Sequence, residues 1–151
     1  MHANETLEVL YRARESLTDG PFDFHDWNHC TCGHLYMAAE GGCASQRSEV
    51  RSPRPGTAYA ETVVAVAQTL SGDERRFTVT ARPWYEWRSP AFLAARWISD
   101  YTMRWGRRQR ERVGRADAIA VMDEAIVRLE AVEAERAQPT RVDVHERPLP
   151  A

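Results

Sequence analysis

Apolar residues recur every three or four positions over much of the 151-residue chain, a pattern typical of amphipathic helices. Leu7, Leu10, Tyr11, Arg14 and Leu17 have this spacing and predict a first helix over residues 4–19, with Asn4 as its N-cap. Gly20 follows directly, and glycine commonly ends helices. The first element is therefore predicted to be a helix with one face in the core.

Three more long helices are predicted by the same reasoning, over residues 57–70, 89–105 and 117–136. Thr57 is a suitable N-cap for the first of them. The second starts at Ser89, where a proline follows in the first helical position. The helix over 57–70 is apolar around most of its circumference, which is typical of a helix at the centre of a core.

The segments between these helices predict less regular structure. Residues 22–32 contain aromatic residues without a period and are predicted to be an ordered loop, followed by a short helix over 33–40. Residues 41–56 mix Gly, Ser, Arg and Pro and predict an exposed, mobile connection. Residues 77–81 alternate apolar and polar and are consistent with a single short strand.

The predicted architecture is an all-α domain over residues 1–137: a compact bundle of four longer helices and one short helix, then a disordered tail over 138–151. No apolar run reaches the about 18 residues that span a bilayer. The N-terminus also lacks the basic and apolar regions of a signal peptide. We therefore expect a cytoplasmic protein that makes no membrane contact.

All three cysteines and three of the five histidines lie in residues 22–43, which we call the Cys/His segment. The candidate metal ligands within it are His25, His29, Cys30, Cys32 and His34. Thiolates and imidazoles are the usual donors to tetrahedral zinc, and in an extended segment residues i and i+2 point the same way. The cofactor prediction is accordingly either none or one zinc ion.

Two other interpretations of the same cysteines and histidines stay open. Cys32 at the start of a short helix would have its thiol pKa lowered by the helix dipole, which suits a thiol enzyme centred on Cys30 and Cys32. Alternatively, both cysteines are small packing groups beneath Trp27 and Tyr36. In that case Thr31 or Cys32 caps the helix, and a glycine at position 33 permits close packing.

The net charge of −2 conceals a strong asymmetry. Residues 75–115 hold eleven arginines and three carboxylates, a net charge of +8, whereas the remainder has a net charge of −10. This division indicates either an anionic partner or an internal match between the two parts. All the basic residues are arginine, which indicates a GC-rich genome.

Arginines alternate with aromatic residues over 82–115, a combination typical of single-stranded nucleic acid binding and also of protein–protein hot spots. Alternatively, Trp97, Tyr101 and Trp105 belong to the core, and the arginines face solvent or pair with the acidic last helix. On the outside of the same helix, Arg96, Asp100 and Arg104 are spaced for successive i,i+4 pairs. The candidate contacts for a partner protein, a second copy of the chain or nucleic acid are Trp84, Tyr85, Trp87, Arg88, Arg104, Arg107, Arg108, Arg110 and Arg112.

The run Trp27-x-x-Cys30-x-Cys32-Gly33-His34-Leu35-Tyr36-x-Ala38-Ala39-x-Gly41 resembles a motif in small proteins of actinobacteria and their phages. The exclusive use of arginine agrees with that source. The resemblance implies an accessory role and no particular chemistry.

Three functions are therefore predicted in order of preference. The first is a small cytoplasmic accessory protein that acts through protein–protein contact, with the Cys/His segment as a structural clasp. The second is a nucleic-acid-binding factor that uses residues 82–115. The third is a zinc or thiol enzyme centred on Cys30 and Cys32.

Overall fold

A computed structural model describes residues 3–78, 89–107 and 113–138, without the side chains of 105–107. The described residues form helices and no strand, which confirms the predicted all-α class. The helices are α1 (Ala3–Asp19), α2 (Thr31–Glu40), α3 (Arg47–Arg51), α4 (Ala58–Ser71), α5 (Pro90–Arg107) and α6 (Arg115–Arg136). The four longer helices match the predicted ones, and α3 is an addition. In α1, however, Asn4 lies inside the helix rather than capping it, and Tyr11 and Arg14 of the predicted inner face are exposed.

The predicted starts of α4 and α5 are confirmed by hydrogen bonds of their caps. Thr57 Oγ1 accepts a hydrogen bond from the Ala60 amide at 3.2 Å, and Ser89 Oγ accepts one from the Phe92 amide at 3.1 Å. Each bond satisfies a backbone donor that has no partner within its helix. At the other end of α4, Gly72 adopts the left-handed conformation that ends the helix, with φ of 71°.

The start of α6 differs from its prediction by two residues. The helix begins at Arg115, after Gly114 as N-cap, rather than at Asp117. The Asp117 carboxylate accepts a hydrogen bond from the Gly114 amide at 2.8 Å, which draws the preceding residues into the first turn.

Helix α4 lies at the centre of the bundle, as its apolar circumference predicts. It contacts α1, α2, α5 and α6, and the side chains of Val63, Val66 and Ala67 are fully buried. Helix α1 packs mainly on α6 and α2, and α5 packs mainly on α4. The loop between α1 and α2 lies beside the C-terminal end of α3 and the N-terminal half of α5.

Several arginines bind the C-terminal ends of other helices. Arg115 donates to Thr18 O of α1 at 2.9 Å, and Arg12 donates to Ala38 O of α2 at 3.2 Å. Arg128 donates to both Thr69 O and Leu70 O of α4, each at 3.0 Å. Carbonyls in the last turn of a helix carry the negative end of its dipole, and of these only Thr69 O also accepts from a backbone amide in the described part of the chain, that of Gly72 at 3.3 Å. Part of the chain's positive charge thus stabilises the fold itself.

The prediction of an exposed connection over 41–56 is wrong in part. Helix α3 lies within it, and Ala44, Val50 and Pro53 are buried. The Tyr59 hydroxyl, itself in the core, donates to Val50 O at 2.7 Å and holds this segment against α4. Spacing could not reveal a five-residue helix, because it is too short to show a period. The mobility of the connection stays a prediction.

Other predictions fall at the edges of the described residues. Phe77 and Thr78 do not form the start of a strand, and Phe77 has a φ of 60°, outside the β region. Residues 79–81 of that predicted strand, and the predicted tail from 139 onward, lie outside the described residues. Within the described residues, every helix is too short or too polar to cross a bilayer.

Candidate functional site

The first part of the Cys/His segment is a loop closed by its own backbone. Asp26 O accepts hydrogen bonds from the amides of His29 at 3.0 Å and Cys30 at 2.8 Å. The Asp23 amide donates to His29 O at 3.1 Å, and the Asp23 carboxylate accepts from the His25 amide at 2.9 Å. The predicted ordered loop is confirmed for residues 22–30, which backbone hydrogen bonds hold without regular secondary structure, whereas Thr31 and Cys32 belong to α2.

His34 is fully buried, with 0% of its surface exposed. Its Nε2 lies 2.8 Å from Pro21 O, which can only accept, so Nε2 carries the proton and donates. Its Nδ1 then accepts from the Ser16 hydroxyl at 2.7 Å. Burial lowers the pKa of His34 and favours this neutral form. The two ring nitrogens thus join α2 to α1 through Ser16 and to the start of the following loop through Pro21.

The other two histidines of the segment lie nearer the surface. His29 Nδ1 lies 2.7 Å from the Asp26 carboxylate, and this hydrogen bond is the main cause of a lowered Asp26 pKa. His25 is exposed and packs edge-on against Phe24, with ring centroids 5.5 Å apart. The three histidines therefore have separate partners.

Cys32 is buried, with 3% of its surface exposed. Its thiol donates to Ala95 O at 3.4 Å and lies 3.7 Å from Ser99 Oγ, so it packs against α5. Burial raises the pKa of Cys32 to about 12. The expectation that the helix dipole lowers this pKa is wrong, because the loss of hydration outweighs the dipole.

Cys30 is the N-cap of α2, the role predicted for Thr31 or Cys32. Its Sγ accepts from the Gly33 amide at 3.4 Å and donates to Trp27 O at 3.6 Å. Burial raises the pKa of Cys30 as well. Because Cys30 is already the cap, α2 begins at residue 31, two residues before the predicted start.

Gly33 is packed as closely as the sequence predicts. A Cβ atom on Gly33 would lie 2.5 Å from Trp27 O and 2.6 Å from the carbonyl of Asn28. Carbon and oxygen atoms that are not bonded to each other do not approach this closely, so only glycine fits between α2 and the loop. Its role is close approach rather than an unusual backbone conformation.

The five candidate metal ligands are not gathered at one point. In the part of the chain that the structure describes, no three or more His, Cys, Asp or Glu side chains converge as a metal ion would require. His34 is hydrogen-bonded toward α1, whereas Cys32 is hydrogen-bonded toward α5. Zinc binding stays a prediction, and a ligand set that includes His34 would require this residue to leave its two hydrogen-bond partners.

A pocket of about 430 Å³ lies where the Cys/His segment, α3 and α5 meet. Its described lining includes Trp27, Cys30 and Cys32 from the segment, Arg51 from α3, and Phe92 and Arg96 from α5. The sequence did not indicate this site, because Arg51 lies in a segment predicted to be an exposed connection. Arg96 also differs from its prediction: it forms no ion pair with Asp100 in the structure and lines the pocket instead.

Most of the predicted partner or nucleic acid contacts lie outside the described residues, namely Trp84, Tyr85, Trp87, Arg88, Arg108, Arg110 and Arg112. Arg104 is exposed on α5, and Arg107 is the last residue of that helix. Trp97 and Tyr101 stack on each other with ring centroids 5.0 Å apart and are half-buried, packed against the core as the alternative interpretation predicts.

No protein-family model, curated protein or solved structure matches the chain.

Proposed function

We propose that the protein is a small accessory protein that acts by contact with another protein, and that the contact is made at the pocket between the Cys/His segment, α3 and α5. In this proposal the Cys/His segment is a structural clasp. One observation supports the proposal: the pocket has aromatic walls and two arginines. The cysteines in its lining, together with His34, make hydrogen bonds that stabilise the fold.

The clasp follows from how the segment's reactive groups are used. His34 joins α2 to Ser16 of α1, Cys30 caps α2, and Cys32 is buried against α5. Buried polar groups that have hydrogen-bond partners stabilise one arrangement of the chain, whereas breaking such a bond costs about 1–3 kcal/mol. In this proposal the histidines and cysteines hold in place the backbone that carries Trp27 and the pocket wall.

The pocket has the residue types that dominate protein–protein contacts. Tryptophan and arginine are enriched among the residues that contribute most to binding, and the pocket includes Trp27, Arg51 and Arg96. Its volume of about 430 Å³ lies within the range of small-ligand pockets, so it has room for one or two side chains of a partner.

A photo-crosslinking experiment tests this location. Phe24 lines the pocket and is half-buried, so p-benzoylphenylalanine at position 24 is expected to form a discrete adduct in cells that express the protein. Arg51→Gln with Arg96→Gln should reduce that adduct severalfold. The same photoreactive group at Tyr11, which is exposed on α1, is the matched control and should give no such adduct. An adduct at position 24 that is insensitive to both arginine substitutions would contradict the proposal.

Nucleic acid binding is a second candidate, favoured by one contact cluster. The Arg76 guanidinium lies 5.6 Å from the centroid of the Phe77 ring and 5.9 Å from that of Trp97. Arginine beside aromatic faces is also how single-stranded nucleic acid is held. Salt-dependent retention of a single-stranded oligonucleotide that Arg76→Gln weakens would favour this candidate. If Arg76→Gln left the retention of the oligonucleotide unchanged, the cluster of Arg76, Phe77 and Trp97 would not be a nucleic acid contact.

A further inference from the structure

We propose that the pocket between the Cys/His segment, α3 and α5 binds an apolar group that carries a carboxylate, such as an aromatic or aliphatic residue next to an acidic residue on the partner protein. The inference rests on the proposed function in one respect: a protein partner makes a carboxylate the expected anion, since acidic side chains are the common anions of unmodified proteins.

The lining of the pocket is positively charged, which favours an anionic ligand. The lining contains Arg51, Arg96 and His25, and none of its described residues is Asp or Glu. Among the described residues, neither arginine lies within ion-pairing distance of a carboxylate. By contrast, Arg14 pairs with Asp123 elsewhere on the surface. The pocket thus holds two guanidinium groups that form no ion pair with a described carboxylate, although Asp100 lines an adjoining pocket with Arg96.

The two arginines share the pocket with buried groups. Arg51 and Arg96 line it together with Cys30 and Cys32, and Cys32 is buried. Guanidinium groups bind carboxylates with paired hydrogen bonds, and these bonds are stronger where water is partly excluded.

The walls of the pocket are largely apolar, which favours a ligand with an apolar body. Trp27, Val50, Phe92 and Ala95 contribute apolar surface, and Val50 and Ala95 are buried. The thiol of Cys32 already donates to Ala95 O, so it does not present a free donor to a ligand. A ligand that fits both features has an apolar body against these walls and an anionic end beside the exposed arginines.

Matched small probes test this charge preference directly. We expect 4-phenylbutyrate to bind the wild-type protein about tenfold more tightly than 4-phenylbutyramide, because only the acid can form charge-assisted hydrogen bonds with the arginines. We expect 4-phenylbutylamine to bind more weakly than the amide. Isothermal titration calorimetry, with chemical-shift changes of the Trp27 indole proton, measures the affinities and locates the probe.

Substitution of the two arginines tests whether they are the groups that bind the carboxylate. Arg51→Gln with Arg96→Gln should lower the affinity for the acid to that for the amide and leave the amide unchanged. Arg47→Gln is the matched control, because Arg47 is exposed on the same short helix and does not line the pocket. Urea unfolding of each variant confirms that the protein remains folded.

Three results would overturn the inference: equal affinities for acid and amide, tighter binding of the amine, or binding of the acid that is unchanged in the double variant. Failure of the proposed function would look different. If the acid shows the expected preference but, at saturation, does not reduce the crosslink at position 24, the ligand class stands and the protein contact lies elsewhere.

Discussion

Gly33→Ala is expected to destabilise the protein by about 3 kcal/mol, because an added Cβ would overlap the backbone of the loop. The nearest atoms are Trp27 O at 2.5 Å and the carbonyl carbon and oxygen of Asn28 at 2.6 Å. These atoms belong to a loop held by its own hydrogen bonds, so they cannot move away as a flexible side chain would. Alanine gains about 1 kcal/mol of helix propensity over glycine, which offsets only part of the overlap.

Urea unfolding followed by circular dichroism measures this effect. The matched control is Gly42→Ala, just after the end of α2, where a Cβ meets no atom within 4 Å and φ is not left-handed. The control should change the free energy of unfolding by less than about 0.5 kcal/mol. If Gly33→Ala were as stable as the control, α2 could not be packed on the loop in the way described.

His34→Ala is the second large effect, with an expected loss of about 3 kcal/mol. The substitution removes a fully buried ring that stacks near Phe22, with ring centroids 6.5 Å apart. It also leaves the Ser16 hydroxyl and Pro21 O without the partner that each has in the wild-type protein. The cost therefore combines a cavity with two unsatisfied polar groups.

The pH dependence of the free energy of unfolding distinguishes the loss of a titrating imidazole from the loss of side-chain volume alone. The lowered pKa of His34 means that the unfolded chain binds the proton more readily than the folded protein. The stabilising contribution of neutral His34 is therefore fully present above about pH 6.5 and is lost as the pH falls from there toward the lowered pKa. His34→Ala should reduce the slope of stability against pH below about pH 6.5. A slope equal to that of the wild type would contradict a buried neutral His34.

The helices were largely predictable because their signals are local. The period of Leu7, Leu10 and Leu17, and the caps at Thr57 and Ser89, depend on residues only a few positions apart. The central place of α4 was also predictable, because a helix that is apolar around most of its circumference needs neighbours on most sides. The boundaries were less accurate where a cap of an unexpected type, Cys30, was used.

The site was less predictable because it depends on which way neighbouring residues point. Two thiols and nearby imidazoles are a metal-binding set in an extended segment, but residues from Thr31 onward are helical. Each helical residue turns by about 100°, so His34 points about 200° away from Cys32 and binds α1 instead. The pocket was hidden for a different reason: Arg51 and Arg96 are far apart in sequence, and only tertiary packing brings α3 and α5 together.

The rate of thiol alkylation in the native protein tests the structural clasp most directly. Iodoacetamide labelling at pH 7.5, with peptide mapping at increasing times, follows all three cysteines with and without a chelator. We expect the exposed Cys43 to react first, the half-buried Cys30 more slowly, and Cys32 only as the protein unfolds, with no effect of the chelator. Cys32 labelled as fast as Cys43, or protection of Cys32 that disappears with the chelator, would contradict the clasp and indicate a reactive thiol or a metal site.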